Sequence, residues 1–172
     1  SLGIDKNKPE KQQRNQTGSP ILEEGDILLN TTLAETSDWQ QVDLPVVSTL
    51  RHFCIETLSS YTEDNQACIS EVDLLDDKGQ PIDKTKWEVV YVSSEQADKN
   101  LGVAENLFDG DISSFWHTDP ATEPGQPHRI IVDIKEIYKI SALRFKVRKG
   151  AFLSGKVKEI NVYGRPQFFL FH

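Results

Sequence analysis

Ala104-Glu105-Asn106-Leu107-Phe108-Asp109-Gly110-Asp111-Ile112-Ser113-Ser114-Phe115-Trp116-His117-Thr118 is the most informative stretch of the chain. Two carboxylates flank a glycine, a hydroxyl follows three residues after the second, and an aromatic pair closes the segment. Hard cations such as calcium take about six to eight oxygen ligands, drawn from carboxylates, hydroxyls and backbone carbonyls. An Asp-Gly-Asp turn can aim several oxygens inward, because glycine permits backbone angles that other residues resist. By itself such a turn is more often a polar bend with solvated acids. What surrounds it changes the reading.

Outward from that turn, the chain from Ile21 consists of short apolar runs separated by Gly, Pro, Asp and Asn. They are Asp26 to Leu29, Trp39 to Leu44, Phe53 to Leu58, Ile69 to Leu74, Trp87 to Val92, Arg129 to Ile134, Ile140 to Val147 and Lys156 to Tyr163. Several alternate with period two, the mark of half-buried strands. Only Glu95 to Leu107 has room for a short helical turn. This spacing of strands indicates an all-β fold, an antiparallel sandwich or barrel. Trp87 and Trp116 are expected in its core, because large aromatics dominate sandwich interiors.

The chain has 172 residues, 27 of them acidic and 19 basic, for a net charge of -8. One domain with a core large enough to need no staples is expected at this length. The acidic balance argues against binding nucleic acid or anionic membranes in general. No run approaches the roughly 18 apolar residues of a membrane span. Methionine is absent, which suggests an excised or processed piece of a longer polypeptide. Residues 1–20 are polar and charged, and read as a linker from an upstream domain, with residues 21–172 as the folded unit. Cys54 and Cys68 lie in two strand-like segments joined by a polar loop. They read either as two buried thiols or as a disulfide between hairpin partners.

From Trp87 onward the sequence resembles the discoidin-like domain, also called the coagulation factor 5/8 type C domain, and its bacterial family 32 carbohydrate-binding relatives. The residues carrying the resemblance are Trp87 to Tyr91, Ala104 to Asp111, Trp116-His117-Thr118, Pro127 to Ile134, Ile140 to Phe145, Arg148 and Gly155 to Ile160. The strands that close the family's sandwich are missing after Gly164. A match to them lies upstream, in Leu50 to Ser60 and Ala67 to Leu74. The resemblance therefore implies a galactose-binding-like jelly-roll sandwich that is circularly permuted, with residues 21–80 supplying the strands usually last and residues 87–164 the family core. The competing arrangement makes residues 21–80 the end of a separate truncated domain.

The resemblance also implies a structural calcium ion. By position its ligands are the Asn106 carbonyl, the Asp109 and Asp111 carboxylates, the Ser114 carbonyl and hydroxyl, and one glutamate from the last strand. Under permutation that glutamate is Glu71; otherwise it is Glu159. Serine at position 114 stands where threonine is more usual, keeping the ligand type. For the ligand surface the loop candidates are His117, Asp119, Gln126, His128, Arg148 and Phe152, with Lys149 beside the last two.

The function implied is a non-catalytic carbohydrate-binding module, which would hold an attached enzyme or receptor of a secreted, periplasmic or surface-attached bacterial protein on a glycan. A second class is an adhesion domain that binds lipid or protein through Phe152 and Leu153 beside Lys149 and Lys156. Enzymatic readings find little support. Asp109 and Asp111 sit in one turn, whereas glycoside hydrolysis needs two acids across a cleft. No nucleophile elbow, zinc-helix motif or phosphate loop occurs. The apolar tail Gln167 to His172 is expected to pack as an extra strand or against a neighbour.

Overall fold

A computed structural model describes residues 14, 16, 18–148 and 155–172. The described chain forms β1 (Pro20–Ile21), β2 (Ile27–Thr32), β3 (Gln40–Thr57), β4 (Cys68–Asp76), β5 (Glu88–Val92), β6 (Trp116–His117), β7 (His128–Val147), β8 (Glu159–Arg165) and β9 (Leu170–Phe171). Short 3₁₀ turns at Asp98–Asn100 and Ala104–Phe108 fall where a helical turn was expected. No α-helix occurs among the described residues, and none is long and apolar enough to cross a membrane.

Two pairs of expected strands are each one continuous strand. β3 runs for 18 residues through both Trp39 to Leu44 and Phe53 to Leu58, and β7 runs for 20 residues through both Arg129 to Ile134 and Ile140 to Val147. Each bends at its middle. The β3–β7 register shifts between Asp43 and Ser48 and again between Leu50 and His52. Such irregularities bend a strand and sharpen its twist. Pro45, which has no N–H to give the ladder, lies in the first gap. Lys135, with φ of 75°, marks the corresponding corner of β7.

The bend divides the sheet into the two layers of a β-sandwich. One layer runs β2, β8, the second half of β3, the first half of β7 and β5. The other runs the first half of β3, the second half of β7, β4 and β6. All of these pairings are antiparallel. Between the layers lie Phe53, Ile55, Ile130, Val132, Ile160 and Val162 from the first and Ile69, Val72, Leu74, Leu143 and Phe145 from the second. Trp87 meets Phe53 and Phe108 in this core at ring-centroid distances of 5.5 and 5.6 Å. Trp116 is also wholly buried. Burying each such side chain contributes on the order of 1.5–3 kcal/mol.

Strands from residues 27–76 are thus interleaved with strands from residues 88–165. β3 lies between β8 and β7, and β4 between β7 and β6. This order also corrects the hairpin expected around the cysteines. Because β7 separates β3 from β4, Cys54 and Cys68 are not hairpin partners, and both are free, buried thiols. Burial pushes the Cys68 thiol up to about 12, with Arg148 pulling the other way.

The outer face of the first layer is also covered. Cys54, Ile131, Tyr163 and Phe169 form a second apolar cluster there, and β9 pairs with β1 beside it. The C-terminal tail therefore packs as an extra strand, one of the two places expected for it. Phe168 stacks over buried His52 with ring centroids 4.1 Å apart.

Candidate functional site

Because β3 and β7 fold back on themselves, their corners lie at one end of the sandwich and their tips at the other. At the tip end the connecting loops are tied together by hydrogen bonds. Gln66 Nε2 donates to the Glu123 carbonyl at 3.1 Å, and the Asp119 N–H donates to Ser94 Oγ at 2.9 Å. Gln126 Nε2 donates to Ser60 Oγ at 3.0 Å, and the Cys68 N–H donates to the Gly155 carbonyl at 2.8 Å. Those expected ligand residues that are described do different things around these loops.

His117 is buried. Its Nδ1 lies 2.6 Å from the Thr118 carbonyl, and burial holds the ring's pKa below the usual histidine value. His128 is wholly buried, with Nδ1 against Glu123 Oε1 at 2.5 Å and Nε2 against the Asn65 carbonyl at 2.6 Å. Gln126 accepts from Thr57 Oγ1 at 2.8 Å while donating to Ser60. These contacts hold His128 and Gln126 within the loops. Arg148 lies half-buried with its guanidinium 4.2 Å from the centre of the Phe115 ring. Phe152, Lys149 and Leu153 fall outside the described residues.

Asp119 lines an open cleft of about 630 Å³ that runs along Val92 to Asp98, with Leu101 and Thr122. Its carboxylate accepts the Ala121 N–H at 3.0 Å, which fixes the turn. No aromatic side chain lines this cleft among the described residues. Hydroxyls, amides and carboxylates do: Ser93, Ser94, Gln96, Glu95 and Asp98. Arg14 and Gln16 reach the same cleft from the polar N-terminal segment. Sequence reasoning missed all of these. Ser93 to Asp98 carries no periodicity that separates it from an ordinary loop, and nothing in the sequence announces a contact between Arg14 and residues some eighty positions away.

On the flank of the sandwich, the Asn106–Ser114 turn meets β4. Glu71 is almost wholly buried, and both of its carboxylate oxygens accept the Gly110 N–H at 3.2 Å. Ser114 Oγ donates to Asp109 Oδ2 at 2.5 Å and lies 3.0 Å from the Asp111 carbonyl oxygen. The Asn106 side chain donates to the Phe115 carbonyl at 3.0 Å and ties the turn to β6. Of the two glutamates considered for this turn, the fold brings Glu71 to it. Glu159 lies on β8, opposite Thr32 of β2.

These donors are all oxygens, as a hard cation requires. They do not by themselves complete a cage. Among the described residues no group of three or more His, Cys, Asp or Glu side chains is arranged to hold a metal ion. The Asp111 carboxylate bonds instead to Ser113, at 2.9 Å from its N–H and 2.6 Å from its hydroxyl. Lys84 forms an ion pair with Glu71 and also bonds Asp73 Oδ1 at 2.6 Å and the Val72 carbonyl at 3.2 Å. Burial raises the Glu71 carboxyl to about 7, with Lys84 and the Gly110 N–H opposing the rise. The set fits a cation on one condition, that Lys84 releases Glu71. It retains two other acceptors when it does.

Residues 89–167 match the model of the F5/8 type C domain. The match takes in a little under half of the chain. It spans the metal-type turn, both halves of β7 and all of β8. A sialidase of Micromonospora viridifaciens is 33% identical over 84 residues, covering 48% of this chain and 13% of that protein. The chain thus spans a small part of the length of this relative.

Proposed function

We propose that the chain is a non-catalytic carbohydrate-binding module whose ligand face is the loop end holding the cleft along Val92 to Asp98. The observation that carries this reading is the cleft itself. At about 630 Å³ it is of a size suited to a small ligand. It is open, and it is lined by the hydroxyl, amide and carboxylate groups that bond sugar hydroxyls. The match of residues 89–167 to the F5/8 type C domain and the similarity to a protein named a sialidase support the same class of ligand. His117 lies behind the cleft, its carbonyl accepting the Gln96 N–H at 2.9 Å, and so helps hold the lining loop in place. A module of this kind would raise the local concentration of an attached domain on a glycan-bearing surface outside the cell, where several weak contacts add through multivalency.

Calcium is part of the proposal. Asn106, Asp109, Asp111, Ser114 and Glu71 would hold it, and it would supply charge that orders the turn, with no chemistry. The turn leads through Phe115 and Trp116 into His117, so its order passes directly to the loop end. The strand arrangement further supports reading the sandwich as a circular permutation, because strands upstream of the matched segment occupy central positions between its own strands.

The test is a glycan-array screen of the purified chain with calcium and then with chelator. Binding to a defined sugar, weakened by chelator and by Asp119→Ala, is the expected result. Absence of glycan binding together with sedimentation on liposomes would replace this reading with the adhesion one.

A further inference from the structure

His52 is buried on the outer face of the first layer, beneath the segment Gln167 to His172. It is 1% exposed, yet neither ring nitrogen has a hydrogen-bond partner among the described residues. Buried polar groups are nearly always paired, so an orphaned imidazole at this depth calls for a reason. Strand alternation puts His52 and Cys54 on one face of β3, while Phe53 and Ile55 between and beyond them enter the core. The tail covers both. Phe168 stacks on His52 with ring centroids 4.1 Å apart, and Phe169 packs in the cluster that holds Cys54. The end of the segment is fastened to Ser19: each of Ser19 and His172 donates its N–H to the other's carbonyl at 3.1 Å.

The charges around the ring oppose a proton there while the cover is down. From β7, Asp133 Oδ1 lies 3.5 Å from His52 Nε2. That carboxylate already accepts Arg51 Nε at 2.9 Å, Arg51 Nη2 at 3.1 Å and the Lys135 N–H at 2.8 Å. The Lys135 ammonium stands 3.8 Å from Asp133 and 2.8 Å from Glu88 of β5. From β8, Arg165 is opposite His52 in the register and lies 3.9 Å from Asp26. A protonated His52 would be a fourth cation beside Arg51, Lys135 and Arg165, facing Asp133, Glu88 and Asp26. Burial, with Arg51, holds the ring's pKa below the usual histidine value against the pull of Asp133 and the Gln167 backbone.

We propose that Gln167 to His172 is an acid-sensitive cover, and that a proton taken up by His52 releases it. Once released, His52 meets water and binds its proton as an ordinary histidine does. Docking is therefore complete above about pH 6.5 and weakens as pH falls below it. What opens is the apolar strip of Cys54, Ile131 and Tyr163. The device stands independently of what the cleft binds.

Wild-type chain and His52→Phe, which keeps a ring under Phe168 but takes no proton, would be compared at about pH 7.5 and about pH 5. One readout is the exchange protection of the His172 amide, corrected for the pH dependence of exchange itself. The other is the rate of thiol labelling at Cys54 relative to Cys68, a ratio that removes the thiols' shared dependence on pH. In the wild type, acid should lower the protection and raise the ratio, each by at least about threefold, and His52→Phe should show neither change. Constant values in the wild type overturn the cover. The same changes in His52→Phe overturn the role of His52, and equal acceleration of both thiols overturns local release. Should His52→Phe fail to fold, NMR titration of the His52 ring in Phe168→Ala decides. Its midpoint should move up toward the ordinary histidine range, and a midpoint equal to that of the wild type overturns the proposal.

Discussion

Glu71 and Gly110 are joined by both carboxylate oxygens of the glutamate, each 3.2 Å from the glycine N–H. One residue lies in β4, at the centre of a sandwich layer, and the other at the tip of the Asp-Gly-Asp turn. Strand alternation makes the contact possible: Val72 enters the core, so Glu71 beside it points the other way. Gly110 has φ of 79°, a conformation an L side chain adopts only with strain. A rigid strand thus anchors the turn through a single carboxylate, and Lys84 supplies the opposite charge.

Removing Lys84 should expose the cost of that arrangement. Lys84→Ala leaves Glu71 buried beside Asp109 without its counter-charge, and a loss on the order of 2 kcal/mol at neutral pH is expected. Urea denaturation measures it. The same variant should bind calcium more tightly than wild type in isothermal titration, because the ammonium no longer competes for Glu71. Equal calcium affinity would show that Lys84 stands clear of the cation.

Calcium should raise the melting temperature of the wild-type chain, since a ligand that binds only the folded state stabilises it by about 2.7 kcal/mol at a hundredfold excess over Kd. Asp109→Ala should abolish the shift. A shift of the same size in the variant would place the cation elsewhere.

Gly102 lies close behind His117. A Cβ there would stand 2.9 Å from the His117 Cβ and 3.0 Å from the Gln96 Cβ. Gly102→Ala should therefore cost about 1–3 kcal/mol through overpacking and push His117 and Gln96 apart. Thermal unfolding reports the first effect, and histidine ring shifts in NMR the second.

Acid should destabilise the fold through its buried histidines. Burial holds both His52 and His117 below the usual histidine pKa, although Asp133 near His52 partly opposes this. An unfolded histidine binds its proton at a higher pH than either of these does when folded. Stability contributed by the neutral rings is thus complete above about pH 6.5 and falls as pH drops below it. Denaturation midpoints between pH 7 and about pH 5 should show this slope, and His52→Gln should make it shallower.

The C-terminal tail can be checked through a thiol. Phe169 packs against Cys54, Ile131 and Tyr163 on the outer face. Phe169→Ala should cost about 3 kcal/mol and speed the reaction of Cys54 with a thiol reagent. Cys68, at the other side of the sandwich, should keep its slow rate. Equal acceleration of both thiols would indicate global loosening instead.

Local patterns in the sequence were enough for the class of fold, for the F5/8 type C segment and for the turn around Gly110. Period-two alternation, glycine in a tight turn and buried tryptophan all act over a few neighbouring residues, so they can be read in order along the chain. That β3 and β7 are each a single bent strand could not be read this way. The bend depends on bulges that arise only when two particular strands pair. Pairing across β7 also separated Cys54 from Cys68 and brought Glu71, not Glu159, to the turn. The polar atoms of His128 and Gln126 found partners within the loops, and a loop residue's bonding partners depend on what folds against it. The cleft along Val92 to Asp98, with Arg14 seated between Glu95 and Glu105, required contacts over some eighty to ninety positions. Charge alone shows that Arg14 needs a partner, and only the closed sandwich determines which acids lie within its reach.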